Sequence, residues 1–250
     1  MKKPLVAGNW KLNKNPSETQ EFMSQFLEYV GKKYESCFAI FPPAVNAIVV
    51  ADALKDHNTR WGGQNYYLKN EGAYTGENSA QVFKELGADM GLVGHSERRQ
   101  IFKEDDDLIA EKVLNLQNLG LTPILCVGET IEQREADQTQ EVVFYQLIKG
   151  LSKALVDQDF VIAYEPVWAI GTGKVATPEV AEEVHAMLRQ ELSQLTSPER
   201  AAKVPLLYGG SVKPSNSKVL FAQQNIDGFL VGGASLDARS FVDIFENCLS

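Results

Sequence analysis

The chain has 250 residues, 44% of them hydrophobic and 23% charged, an ordinary globular balance with enough length to bury a substantial core. A formal charge of −9 and a pI near 5.0 argue against nucleic acid or an anionic membrane surface as a partner. A small anion is not excluded, because screening over about 10 Å lets nearby donors outweigh distant carboxylates.

In chain order, short apolar runs rich in β-formers alternate with longer amphipathic stretches. Leu5–Asn9 is the first predicted strand, and Phe22, Phe26, Leu27 and Val30 then recur at helical spacing after Ser17. Strands are predicted at Cys37–Phe41, Thr59–Gln64 and Met90–Gly94. Leu108, Val113, Leu116 and Leu119 mark a helix after Asp105, followed by strands at Thr122–Val127 and Val161–Tyr164. Thr177-Pro178-Glu179 is a strong helix start: a threonine cap, proline at the first helical position and an acidic first turn. The apolar series Val180, Val184, Met187, Leu188 and Leu192 follows it, and the last strands are Pro205–Tyr208 and Gly228–Val231.

These strands read as continuous apolar runs rather than strict alternation, the pattern of parallel strands buried on both faces. Eight strand–helix units in a chain of this length match an α/β fold, a single-domain (β/α)8 TIM barrel spanning residues 1–250. The rival is an open doubly wound sheet, but its glycine fingerprint is missing after the first strand, where Gly8-Asn9-Trp10-Lys11 stands. Cys37, Cys126 and Cys248 are odd in number and lack C-x-x-C spacing, which reads as reduced thiols. The N-terminus reaches polar Asn9 too soon for a signal-peptide core, and no apolar run has the length of a membrane helix. The expectation is a soluble, cytoplasmic protein.

A barrel keeps its chemistry at the carboxyl ends of its strands. Those ends carry Asn9-Trp10-Lys11, Gly94-His95-Ser96-Glu97, Tyr164-Glu165-Pro166, Gly209-Gly210-Ser211 and Gly232-Gly233. A strand-end glutamate is ordinarily a salt-bridging residue. Glu165 departs from that because Pro166 stiffens the start of a loop, Val167–Lys174, holding apolar Trp168, Ala169 and Ile170 where exposure is expected. His95 stands where a strand meets the short turn Ser96-Glu97-Arg98, while His57, in a polar turn, and His185, within a helix, read as structural. The two glycine pairs after the last strands are either plain turns or a phosphate cradle built from backbone amides, which would let an acidic protein hold a dianion.

In order and spacing these segments resemble the signature loops of triosephosphate isomerase, as do Asn65-Tyr66 through Gly72-Ala73-Tyr74-Thr75-Gly76-Glu77 and Cys126-Val127-Gly128-Glu129-Thr130. The resemblance covers seven of the eight predicted strand ends. It implies proton transfer on Glu165 through an enediol(ate), interconverting dihydroxyacetone phosphate and D-glyceraldehyde 3-phosphate in glycolysis and gluconeogenesis. It implies a neutral His95 polarising the substrate oxygen, an arrangement for which this family is a known example. Lys11 and Asn9 would meet the same oxygen, with Lys11 also near the phosphate. Glu97 would hold the lysine or relay protons, and these two roles stay open. Ser96 and Cys126 would lie behind these groups, packing being the account of the cysteine. Gly171, Ser211, Gly232 and Gly233 would grip the phosphate, and residues of about 166–176 would close as a lid. Thr75 would project into a second copy of the chain, so a homodimer is implied, with no cofactor and no metal. Two positions depart from the family pattern: Leu12, a volume-conserving change on an apolar site, and Asp237, where lysine is frequent.

Three other readings compete. A sugar-phosphate aldolase would use Lys11 as a Schiff-base amine, which needs a neighbouring cation. A metal-dependent isomerase would need chelating histidines, and the three here show no such spacing. A non-catalytic phosphate-binding barrel would keep the glycine pairs without needing Glu165, His95 and Lys11 together.

Overall fold

A computed structural model of the chain describes residues 3–169 and 176–250. Eight parallel strands among the described residues close into a barrel. They are β1 (Leu5–Asn9), β2 (Phe38–Phe41), β3 (Arg60–Gly63), β4 (Met90–Val93), β5 (Thr122–Val127), β6 (Val161–Tyr164), β7 (Leu206–Tyr208) and β8 (Gly228–Val231). Each pairs with its neighbours in sequence, and β8 returns to β1 with Leu5 opposite Gly228. This is the expected (β/α)8 architecture, with helices between the strands.

The two-residue period of a strand divides its side chains between two cores. Leu5, Ala7, Phe41, Met90, Leu92, Ile124, Cys126, Val161, Ala163, Leu207 and Leu230 belong to one buried cluster inside the barrel. Their alternates, among them Val6, Ile40, Val93, Leu125, Ile162, Leu206 and Phe229, pack outward against the helices. Both faces are apolar, so the sequence shows unbroken apolar runs. The outer core is thickest beside β1 and β2. There Phe22 and Phe26 of helix Pro16–Val30 meet Phe241 of helix Ala238–Leu249, with ring centroids 6.5 and 5.8 Å apart.

Several boundaries differ from the sequence expectation. The first helix begins ahead of Ser17 and is capped by Asn15: its side chain accepts from the Glu18 N–H at 3.0 Å while Glu18 accepts from the Asn15 N–H at 2.8 Å. Asp105 and Thr177 cap their helices as expected. Cys37 ends a 3-10 turn before β2, and Gly94 leaves β4 by a backbone φ of +68°. Pro205 lies just ahead of β7, and Gln64 falls past β3, where its side chain bonds the carbonyls of Phe41 and Lys11 at 2.8 and 2.9 Å. Leu12 is not on an apolar site: it is 96% exposed.

Gly62 shows how tightly the barrel closes. A Cβ there would stand 1.8 Å from the Met90 carbonyl oxygen, on the partner residue of the β3–β4 ladder. Gly62→Ala must therefore push β4 away or bend β3. Urea unfolding is expected to report a loss of about 3 kcal/mol, the upper part of the range for overpacking a core.

Candidate active site

The inward parity of the strands determines what reaches the top of the barrel. Leu5 and Ala7 point inside, so the next inward position of β1 is Asn9; Val161 and Ala163 point inside, so the next after β6 is Glu165. The corresponding positions after β5, β7 and β8 are Gly128, Gly209 and Gly232. Two of these glycines are needed to seat Glu165. A Cβ on Gly128 would lie 1.8 Å from the Glu165 carbonyl oxygen, and one on Gly209 would lie 2.9 Å from its Cγ.

His95 is placed differently. The turn at Gly94 breaks the parity of β4, and His95 becomes the cap of the short helix Ser96–Gln100. Its Nδ1 accepts the Glu97 N–H at 3.2 Å, which leaves Nε2 to carry the proton and to donate to Glu165 Oε1 at 2.9 Å. The Ser96 N–H donates to Glu165 Oε2 at 2.9 Å. Arg99 anchors the turn, donating to the carbonyls of Gly94 and Cys126 at 2.7 and 3.1 Å and pairing with Asp106 at 2.6 Å. Both oxygens of a carboxylate that is 2% exposed are thus occupied by donors.

Burial alone would raise the Glu165 pKa. The adjacent His95 ring, the Ser96 amide and the Lys11 charge outweigh burial and hold the carboxyl below its ordinary value. Burial likewise opposes an imidazolium at His95, yet the carboxylate beside it gives a net upward displacement. That pull exists only while Glu165 lies against Nε2. A second proton would also have to displace the Glu97 amide from Nδ1, and that bond favours the Nε2–H tautomer.

Lys11 adopts φ +52°, a left-handed conformation rare for a residue with a side chain and costing about 1–3 kcal/mol. The structure enforces it locally: the Lys11 N–H donates to Asn9 Oδ1 at 3.1 Å, its carbonyl accepts from Gln64, and its ammonium pairs with Glu97 at 2.6 Å. Glu97 is thus the ion-pair partner of the lysine.

Asn9, Lys11, His95 and Glu165 line one cavity of about 340 Å³ together with Ser211, Gly232 and Gly233. Glu97 is not among the residues lining this cavity and meets it through Lys11. Gly171, and the lid stretch 170–175 with it, lies outside the described residues. Thr75 does not reach this cavity and sits in the exposed stretch Glu71–Glu77. Among the described residues no group of three or more His, Cys, Asp or Glu is arranged to hold a metal ion. His57 bonds buried Glu35 at 2.8 Å and His185 bonds the Ala181 carbonyl at 2.8 Å, so both are structural. Cys126 is buried within the barrel, its thiol pushed well above the ordinary range by desolvation. Asp237 caps the last helix through the Ser240 N–H at 2.7 Å.

The described start of the lid stretch is packed. Trp168 and Ala169 are not exposed: Ala169 is fully buried, and Trp168 packs on the core while its Nε1 donates to Glu129 at 3.0 Å. Glu129, given no role from sequence, is a fully buried carboxylate that also accepts from Tyr164 at 3.0 Å and pairs with Arg134 at 3.2 Å. Its only signal in the sequence is an acidic residue at a strand end. Lys213 was also passed over, and it lines the cavity beside Ser211.

The triosephosphate isomerase family model matches residues 4–248 of the chain. The chain belongs to the triosephosphate isomerase family. It is 50% identical to the triosephosphate isomerase of Bdellovibrio bacteriovorus, over 97% of this chain and 98% of that protein. The triosephosphate isomerases of Solibacter usitatus and Carboxydothermus hydrogenoformans are 46% and 45% identical, covering 98% and 100% of this chain and 99% and 100% of their own lengths. In this member of the triosephosphate isomerase family the similarity extends over every strand end described above.

The lowered pKa of Glu165 has a definite sign. Its contribution to stability is present above the ordinary carboxyl pKa and is lost as pH falls through the folded value. Carbon-13 NMR of the Glu165 carboxyl is expected to show titration below 4.5, and His95→Gln is expected to move it upward by removing the first of the stabilising groups. A midpoint unmoved by that substitution would contradict the assignment.

Proposed function

We propose that this protein interconverts dihydroxyacetone phosphate and D-glyceraldehyde 3-phosphate through an enediol(ate), as a glycolytic and gluconeogenic isomerase. The observation that carries the reading is one cavity shared by a carboxylate, an imidazole, an ammonium and two glycine turns. Glu165 is the base: it takes a proton from one carbon and returns it to the neighbouring one. Since His95 and Ser96 occupy both its oxygens in this arrangement, the carboxylate must turn away from them to reach carbon. Substrate supplies the exchange, because its carbonyl oxygen accepts the His95 Nε2–H that Glu165 gives up. Lys11 and Asn9 stabilise the oxyanion that develops there. A neutral imidazole suits this work, since an enediolate must take and release a proton repeatedly.

The amides of Ser211, Gly232 and Gly233, with Gly171, bind the phosphate. Residues 1–250 form one domain in which about 166–176 close over substrate, expelling water and holding the phosphate so that the intermediate does not eliminate it. The aldolase reading is disfavoured by Lys11, whose ammonium pairs with a carboxylate rather than lying beside another cation. A passive phosphate-binding barrel has no use for the His95–Glu165 contact.

Glu165→Gln keeps the size and loses the base. The coupled isomerase assay is expected to fall by about three orders of magnitude, within the span of general-base effects. Phosphoglycolate should still bind. Retention of a rate near wild type would refute the role.

A homodimer is the proposed assembly, in the cytoplasm. Its support is an apolar surface on the outer side of Lys11, where Leu12, Ile101 and Phe102 are 96%, 68% and 62% exposed. Leu12 and Phe102 border a groove of about 430 Å³ that Asn9, Lys11, His95 and Glu97 also line. Exposed apolar surface of this kind marks an interface, and the stretch around Thr75 of a second copy is its occupant. Phe102→Glu is expected to give monomers in sedimentation velocity and to lower kcat by at least ten-fold; an active, dimeric variant would refute this.

A further inference from the structure

We propose that Lys213 is the phosphate-end cation of the site, recruiting the dianionic substrate. The proposal rests on the isomerase reading above. Two lysines are among the residues that line the cavity, Lys11 and Lys213. Lys11 is already paired with Glu97 at 2.6 Å, so its field beyond the pair is largely cancelled. Glu165 adds a carboxylate to the same cavity. A dianion entering a protein of net charge −9 thus meets one uncancelled negative charge unless a further cation is present.

Lys14 cannot supply it. Its ammonium rests over the rings of Trp10 and Phe22, at 5.5 and 4.9 Å from their centroids, with Glu18, Glu21 and Asp237 around it. Lys213 can. It is exposed, and no ion pair engages it among the described residues. Its backbone is held, while its side chain has no polar partner among the described residues. The Lys213 N–H donates to Asn216 Oδ1 at 2.8 Å, and Asn216 Nδ2 returns to the Ser211 carbonyl at 3.0 Å. One asparagine therefore fixes the turn that carries both Ser211 and Lys213. Asn247 ties the following Pro214 carbonyl to the last helix at 2.8 Å. The lysine stem leaves a rigid base beside Ser211, with the ammonium available to an incoming phosphate.

The test compares Lys213→Gln, Lys213→Glu and Lys213→Arg with wild type in the isomerase assay at low salt and at about 0.5 M salt, where charges are screened within a few ångströms. Lys213→Gln is expected to reduce kcat/KM about five-fold at low salt, the loss falling on KM, as for one exposed charge contact. Charge reversal in Lys213→Glu should reduce it further, and Lys213→Arg should restore most of it. High salt should bring all four proteins together. Equal kcat/KM in Lys213→Gln and wild type would overturn the inference, and so would an arginine variant as impaired as the glutamine one, since shape rather than charge would then be at work. If wild type itself does not isomerise triose phosphates, the parent reading falls. Calorimetric binding of inorganic phosphate to the same variants then decides the role of Lys213 alone: weaker binding in Lys213→Gln sustains it and equal binding ends it.

Discussion

Everything at the mouth of this barrel depends on the two-residue period of eight parallel strands whose inward side chains are already apolar. Once Leu5 and Ala7 point inside, Asn9 must follow them, and once Val161 and Ala163 do so, Glu165 must. Neither polar residue could sit two positions earlier, at Ala7 or Ala163, without entering the apolar barrel interior, where an unpaired carboxylate costs several kcal/mol. The glycines at the matching positions of β5, β7 and β8 are the other half of the same constraint. They leave the space into which Glu165 fits and the opening through which a ligand reaches it.

His95 escapes this parity and Lys11 lies just past the strand that sets it, and a backbone irregularity places each. For His95 the irregularity is Gly94, whose positive φ a glycine adopts without strain. For Lys11 it is a positive φ on a lysine, maintained by Asn9 and Gln64 at a real energetic cost. Asn9 consequently serves two purposes: it lines the cavity and it bends the chain that delivers the ammonium. Strain at a residue enforced by its neighbours in this way belongs to a site shaped for a ligand rather than for stability.

Much of this was legible in the residues, and the failures have physical causes. The strand order and the helix starts at Asp105 and Thr177 follow from hydrophobic runs and capping chemistry, which are local. The cap at Asn15 is harder to read, because it is completed only by the return bond from Glu18. The partner of Trp168, Glu129, comes from the preceding strand end and so has no local signal. Leu12 is exposed in the single chain, on a groove that it shares with Phe83 and Phe102. Lys213 has no sequence pattern, because a surface lysine carries none until the cavity it borders is known.

The ionisable groups of the site are held against partners, Glu165 against the His95 ring and Lys11 against Glu97. A buried carboxylate without a donor would either be protonated or destabilise the fold, and a protonated Glu165 could not act as a base. Pairing therefore preserves the ionised form. It also sets the condition for reaction. On the proposed mechanism a ligand that offers an acceptor to His95 Nε2 replaces the carboxylate there and frees Glu165 Oε1. The bond from the Ser96 amide to Oε2 is given up as well when the carboxylate turns, so the exchange offsets part of the cost of releasing the charge. A ligand lacking that oxygen leaves Glu165 capped, and the chemistry is confined to molecules that carry it.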